Sequence, residues 1–265
     1  MTIRHELVES LQSRYAGRPT SRVSEVIAPP GGSGERRSSF TLVTLDSGAA
    51  GLCWNLLEDE PTRAAYDGLD LAGYAGRDAL EVAAELLQPE LVRRLVGYAT
   101  CSALSQALFA VGEPAVETQT DLLDLMELSP ADHVGIVGDA PPLVRDLAAG
   151  AGQVTVIQRD SRRSGPDNVR ITDGAAALAG CNKVLVSSST LLDDSFEEIE
   201  RVSAGAAFRA LYGPGAGILP DALFARGFQA VAGTLVLDGA ALARRQRGGE
   251  KWGDAKRKFV ARAQA

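Results

Sequence analysis

Aromatic side chains, histidines and long apolar runs are scarce in this chain, and each shortage closes off a class of protein. Phe, Trp and Tyr together make up 5% of 265 residues. Ala, Val and Leu must therefore fill the core of a sequence that is 45% hydrophobic. The two histidines, His5 and His133, lie far apart, and there is no H-x-x-x-H or C-x-x-C pair. A dedicated zinc or transition-metal cage is not expected from such a set. A Ser-His-Asp triad would have to use one of those histidines, and the G-x-S-x-G elbow is missing. The three cysteines, Cys53, Cys101 and Cys181, are odd in number and scattered. That is not a disulfide framework, and it suits a reduced, cytoplasmic setting. There is no basic excess. The formal net charge is −7, which argues against nucleic acid as the main partner, because phosphate neutralisation needs a basic face. No stretch of about 18 apolar residues is present, so no membrane span is expected. The polar start, Met1-Thr2-Ile3-Arg4-His5-Glu6, does not read as a signal peptide.

What the chain does contain is periodic. Ile3, Leu7, Val8, Leu11 and Tyr15 recur at helical spacing. Residues 23–27 read as a strand. A Pro/Gly/Ser stretch follows, and then two strands joined at Ser47-Gly48 form a hairpin. Residues 59–75 hold turn signals and little periodicity. Helices are expected over 78–87 and from Pro89 to about Phe109, the latter with small residues at Ala99, Ser102, Ala103 and Ala107 for close packing. The first half is thus α+β. Gly112-Glu113-Pro114 breaks the chain, and two domains, 1–115 and 116–265, are expected on either side.

The second half alternates. Apolar runs at 134–137, 154–157, 184–186 and 208–212 each end in glycine or small polar residues, with helix-like stretches between them. A fifth strand at 230–237 precedes a basic tail read as helical, in which Trp252 and Phe259 stand seven apart. In an open parallel sheet, ligands bind at the carboxyl ends of the strands. The candidate ligand residues are those strand ends: Gly138 and Asp139; Asp160, roughly 20 residues beyond Gly138 where an acid meets ribose hydroxyls in a dinucleotide site; Ser187, Ser188, Ser189 and Thr190; Asp193; and Gly213 with Pro214. Hydroxyls and backbone N–H groups at 187–190 suit a carboxylate or phosphate. Against each stands a plainer role: a tight turn for 187–190, a solvated loop for Asp160, and a chain reversal for Gly213-Pro214-Gly215. The full G-x-G-x-x-G fingerprint is absent, and Asp139 would repel a phosphate. Asp194 with Glu197 reads as a helix cap and its box partner.

The order of these motifs resembles a known family. Gly51-Leu52 comes first, then Ala79-Leu80-Glu81-Val82-Ala83 and the Ala-rich helix from Leu95 to Ser105. Val134-Gly135-Ile136-Val137-Gly138, Ser188-Ser189-Thr190-Leu191, Gly213-Pro214 and Leu223-Phe224-Ala225-Arg226-Gly227 follow. Over nearly the whole chain this is similar to the putative heavy-metal chelation domain family. The resemblance implies an α/β protein in which an N-terminal α+β, enolase-N-terminal-like domain precedes a Rossmann-like parallel-sheet domain, with a site between them. The chain departs from the family pattern in places. Ser187-Ser188-Ser189-Thr190 stands where the family has Thr-Gly-Ser-Thr, and Asp193 where it has Asn. Gly213-Pro214-Gly215-Ala216 replaces Gly-Pro-Ser-Thr, and Gln158 stands where an acid often ends the second strand.

Two functions from different classes follow. One is a binding protein for a small polar or anionic metabolite, a metal chelate included, held between the domains of a protein that forms a homodimer. No metal ligands are assigned to the chain itself. The other is a nucleotide- or S-adenosylmethionine-using enzyme whose adenosine-containing cofactor would sit on Asp160 and the glycine loop. No catalytic residue is assigned. A third reading is an interaction protein on a lapsed enzyme fold, consistent with the departures.

Overall fold

The apolar stripe of residues 3–15 forms the first helix of the computed structural model, which describes residues 1–29, 40–138, 140–158 and 165–264. Helix α1 (Ile3–Tyr15) buries Ile3, Leu7, Val8, Leu11 and Tyr15. Strands β1 (Val23–Ile27), β2 (Phe40–Leu45) and β3 (Ala50–Trp54) make a three-stranded antiparallel sheet in that order. Helices α2 (Glu60–Asp67), α3 (Ala79–Ala83) and the long α4 (Leu91–Ala110) follow. The segment read as turns at 59–75 therefore contains a helix. Asp59 accepts from Thr62 N and a proline occupies the first turn, so its signal is capping rather than an apolar stripe.

The small residues of α4 do what their size permits. A Cβ on Gly51 would lie 2.1 Å from Ala103 N and 2.3 Å from Ala99 O. Strand β3 thus packs backbone against backbone on α4. Gly97 is equally pressed, 2.2 Å from Leu86 N.

The second half begins with α5 (Leu122–Met126), β4 (His133–Val137), α6 (Pro141–Gly150), β5 (Gln153–Ile157) and β6 (Val169–Thr172). It continues with β7 (Lys183–Ser187), α7 (Phe196–Val202), β8 (Phe208–Tyr212), α8 (Asp221–Ala225), β9 (Ala230–Val236), α9 (Gly239–Arg247) and β10 (Lys256–Arg262). The seven strands lie in the order β10-β9-β8-β7-β4-β5-β6, all parallel except β10, which runs antiparallel to β9. Successive residues of each central strand face opposite ways. Val134, Ile136, Leu185 and Ala210 join one core cluster, and Val137, Val184, Val186 and Leu211 the other. Both faces are covered, which is why the strands read as continuous apolar runs. Truncating fully buried Leu185 to Ala costs about 2–5 kcal/mol on that account.

Three expectations are corrected. Strand β6, a half-buried four-residue edge, carried too short a pattern to be read. The tail is a helix only to Arg247, after which Lys256–Arg262 pairs with β9. Trp252 and Phe259 consequently sit in separate clusters rather than on one helix face. Asp194 and Glu197 are not a capping pair. Ser195 precedes α7 without a side-chain cap bond, Asp194 pairs with Arg4 and Arg94, and Glu197 accepts from Ile3 N at 2.9 Å. Together with Arg226, bonded to Glu6 at 2.7 Å and Glu200 at 2.5 Å, these acids fasten α1 to the second half.

At the amino end of the large sheet, Asp132 accepts from Lys183 at 3.0 Å, Asn182 at 2.7 Å and Ser129 N at 2.7 Å. Burial pushes its pKa up, but these bonds outweigh it and hold the carboxyl at about 2. A depressed folded-state pKa stabilises above the ordinary value of 3.8. That stability is lost as pH falls from there towards about 2. Urea midpoints taken between about pH 5 and pH 2 should fall more shallowly in Asp132→Asn than in the parent; parallel curves would remove Asp132 as the cause.

The α4–β3 contact gives a sharper test. Gly51→Ala should lose about 1–3 kcal/mol or more by urea unfolding. Gly205→Ala, whose added methyl meets nothing within 4 Å, should stay close to the parent. Equal midpoints for both variants would show that β3 does not lie on α4 as described.

Candidate functional site

Strand β4 has β5 on one side and β7 on the other. The connection after β4 runs to β5 and the one after β7 runs to β8, towards opposite edges of the sheet, so the crevice between the ends of β4 and β7 is the topological switch point. Three strand ends meet there. Gly138, with φ +107°, follows β4; a Cβ on it would lie 3.1 Å from Ser187 Cβ and 3.2 Å from the Tyr212 hydroxyl. Gly213, with φ +121°, follows β8, and its Cβ would lie 3.3 Å from Ser188 Oγ. Gly215 brings the same Ser188 Oγ within 3.1 Å. Both positive φ values favour glycine.

The residues 187–190 turn off the end of β7 into a short 3₁₀ segment, Ser188–Leu191. Much of its polarity is spent internally. Ser187 Oγ lies 3.0 Å from Ser189 Oγ, Ser189 N donates to Ser187 Oγ at 3.4 Å, and Thr190 Oγ1 donates to Ser187 O at 2.8 Å. Gly138 N and Gly213 N are bonded to Ile157 O and Ala232 O. The polar groups gathered at these strand ends are hydroxyls more than amides: half-buried Ser187 and Ser189, buried Ser188, and the phenol of Tyr212, which donates to Val137 O at 3.0 Å.

The first half supplies the floor and one side. Tyr98 on α4, 1% exposed, donates to Gly215 O at 2.9 Å. Burial pushes its pKa well above the ordinary 10; the buried Cys53 and Cys101 thiols add to the rise, and a hydrogen bond with the Ser188 side chain opposes it. The phenol stays protonated and remains a donor. Ser188 is 4% exposed. The free edge of β3 lies alongside, with Trp54 N and Leu52 O at 3.7 and 3.8 Å from the Gly215 Cβ position.

Of the residues singled out from the sequence, Gly138, Ser187, Ser188, Ser189 and Gly213 come together. Thr190 is buried and turned back on the strand end. Pro214 is exposed at the rim. Asp193 lies beyond the 3₁₀ segment and accepts from Ser195 N at 3.2 Å. Gln158 follows the end of β5, its N–H bonded to Thr172 O. Asp139 and Asp160 lie outside the described residues. Sequence reasoning missed Trp54, Tyr98 and Tyr212, while Gly215 belongs to the 213–217 loop that it reads as a place of close backbone approach. Tyr212 was legible as the last residue of a strand; Tyr98 and Trp54 were not, because they arrive from elements distant in sequence.

Among the described residues, no group of three or more His, Cys, Asp or Glu is placed to hold a metal ion. All three cysteines are free and buried, and burial raises the pKa of each. Thiolate ligation at those positions would have to overcome that desolvation. Among the described residues the donor set therefore does not fit a bare soft metal. No described helix is long and apolar enough to cross a membrane. Two open grooves lie elsewhere: one of about 320 Å³ between α9 and the β2–β3 turn, and one of about 290 Å³ at the amino ends of β4 and β5.

This geometry defines the class: a doubly wound α/β protein with a switch-point crevice, walled on one side by a small antiparallel sheet and a long helix. The chain belongs to the family described as Putative heavy-metal chelation, whose model matches residues 121–263; a second model with the same description matches residues 38–105. Two solved structures of family members, both titled as proteins of unknown function, share the fold along their whole length. One, from Desulfitobacterium hafniense, is 19% identical with a TM-score of 0.74, covering 98% of this chain and 99% of the other. The second, from Pyrococcus horikoshii, is 17% identical with a TM-score of 0.75, covering 99% of this chain and 100% of the other. A search of the curated proteins finds no match.

The crevice packing is tested by a double-mutant cycle. Gly138→Ala should cost about 1–3 kcal/mol through its positive φ, plus the clash with the Tyr212 hydroxyl. Tyr212→Phe removes that hydroxyl and should recover part of the loss. Strict additivity in urea unfolding would separate the two residues.

Proposed function

We propose that the protein binds a small polar or anionic metabolite in the crevice between its N-terminal α+β part, residues 1–115, and its Rossmann-like part, residues 116–265. A metal enters as cargo, in a chelate that brings its own donor atoms. The observation that carries this reading is the convergence of Ser188, Gly138 and Gly213 at the switch point, with Tyr98 of the other part bonded to the same loop. Hydroxyls at 187–189 supply donors for carboxylate or carbonyl oxygens. Glycines at 138 and 213 let a ligand approach the backbone. A metal held by its chelator needs no His or Cys cage from the protein, which agrees with the donor set. The family description, Putative heavy-metal chelation, supports the same choice.

Thermal unfolding tests it. A ligand at 100 times its Kd stabilises by about 2.7 kcal/mol. Zinc citrate and nickel citrate should raise Tm in the parent and fail to do so in Ser188→Val. Bare zinc, nickel or copper should leave Tm close to the apo value. Stabilisation by S-adenosylmethionine or adenosine in place of the chelates would overturn this reading in favour of a cofactor-using enzyme. Tight stoichiometric binding of a bare ion, abolished by replacing His5 or His133, would show that the protein itself holds the metal.

A further inference from the structure

We infer that Trp54 is the aromatic wall of the crevice and that the natural ligand joins a planar ring to its acidic or carbonyl oxygens. This rests on the crevice as the binding site and adds the class of ligand it takes.

Strand β3 is buried along its length until its last residue. Ala50, Gly51, Leu52 and Cys53 are covered, whereas Trp54 is 42% exposed. It is the one aromatic among the exposed large hydrophobic side chains of the described residues. The others are Met1, Leu87, Val111 and Leu237. The position of Trp54 is set by its backbone. Its amide nitrogen is 3.7 Å from the place a Cβ on Gly215 would occupy, and that same place lies 3.1 Å from Ser188 Oγ. The strand direction agrees. The beginning of β3 lies by α9, since a Cβ on Gly239 would be 3.1 Å from Ala50 Cβ, and its end lies over the Gly213–Gly215 turn.

The indole is also braced. Its ring meets Phe40 edge-on, centroids 5.0 Å apart at 84°, and Phe40 meets Trp252 at 5.0 Å and 68°. Trp252 Nε1 donates to Gln246 Oε1 at 3.1 Å, and Gln246 Nε2 donates to Phe40 O at 2.8 Å. Gln246 is itself buried. In a sequence with two tryptophans, both are committed to one cluster that leaves the Trp54 ring partly uncovered. A large apolar surface kept in water is costly. A ring fixed in advance loses little entropy on binding, and stacking rewards a flat ligand beyond the area it buries.

The experiment compares two dicarboxylates, one planar and aromatic, the other aliphatic: dipicolinate and glutarate. Affinities are measured by calorimetry on the full chain, and Trp54 emission is followed in Trp252→Phe, where it is the sole tryptophan. Dipicolinate should bind about tenfold tighter than glutarate, with a saturable change in Trp54 emission. Trp54→Ala should reduce dipicolinate affinity to that of glutarate. Trp54→Phe, which keeps a ring against Phe40, should retain most of the preference and guards against a folding defect in the alanine variant. Equal binding of the two acids, both lost in Ser188→Val, would overturn the role of Trp54 and leave the crevice standing. Binding of neither acid, or binding untouched by Ser188→Val, would overturn the crevice and this inference with it.

Discussion

The contact between Gly51 of β3 and the Ala99–Ala103 stretch of α4 is the constraint on which the rest depends. Backbone meets backbone there at a distance no side chain allows. The helix is thereby set between the small sheet and the large one, where its polar residues finish the job. Ser102 Oγ accepts from Leu52 N and donates to Gly217 O, Ser105 Oγ accepts from Leu219 N, and Gln106 bridges Thr234 O and Val236 N. These side chains satisfy backbone groups that burial would otherwise leave unpaired. They also fix the 213–219 loop against β3. The crevice has its shape because one helix holds both of its walls.

The electrostatic fastening follows the same division. The ion pairs of Arg226 with Glu6, and of Asp194 with Arg4 and Arg94, run between α1 or α4 and the second half, and Glu200 holds Arg226 from within that half. Asp194 holds a positive φ of 63° four residues past the serine turn. Its two arginines offset that backbone cost. The serine turn is thus tied to the first half at both ends: through Tyr98 at Ser188, and through Asp194 beyond it.

The chemistry available in the crevice is that of hydroxyls and close backbone approach. Under the proposed function, in which the ligand carries the donor atoms, the family's description, Putative heavy-metal chelation, is compatible with the lack of a metal-ligand cluster among the described residues. On that proposal the site would select by shape and by acceptor oxygens rather than by metal preference, which depends on ligand softness and geometry.

Much of the fold is legible in order along the chain. The stripe of α1, the hairpin, the small residues of α4 and the apolar runs of β4, β5, β7, β8 and β9 announce themselves, because burial on one face or two imposes a period or a run. The glycines and serines at strand ends are legible for the same reason: the switch-point rule converts a strand order into a place. What tertiary structure alone decided is who else arrives there. Tyr98 sits in a helix whose stripe looks like any other, and Trp54 ends a hairpin some 80 residues before Gly138; only the packing of Gly51 on α4 brings them to Ser188. The same holds for β6 and β10. Their short or charged sequences take strand form because a neighbouring strand offers its open edge, a condition that local sequence does not contain.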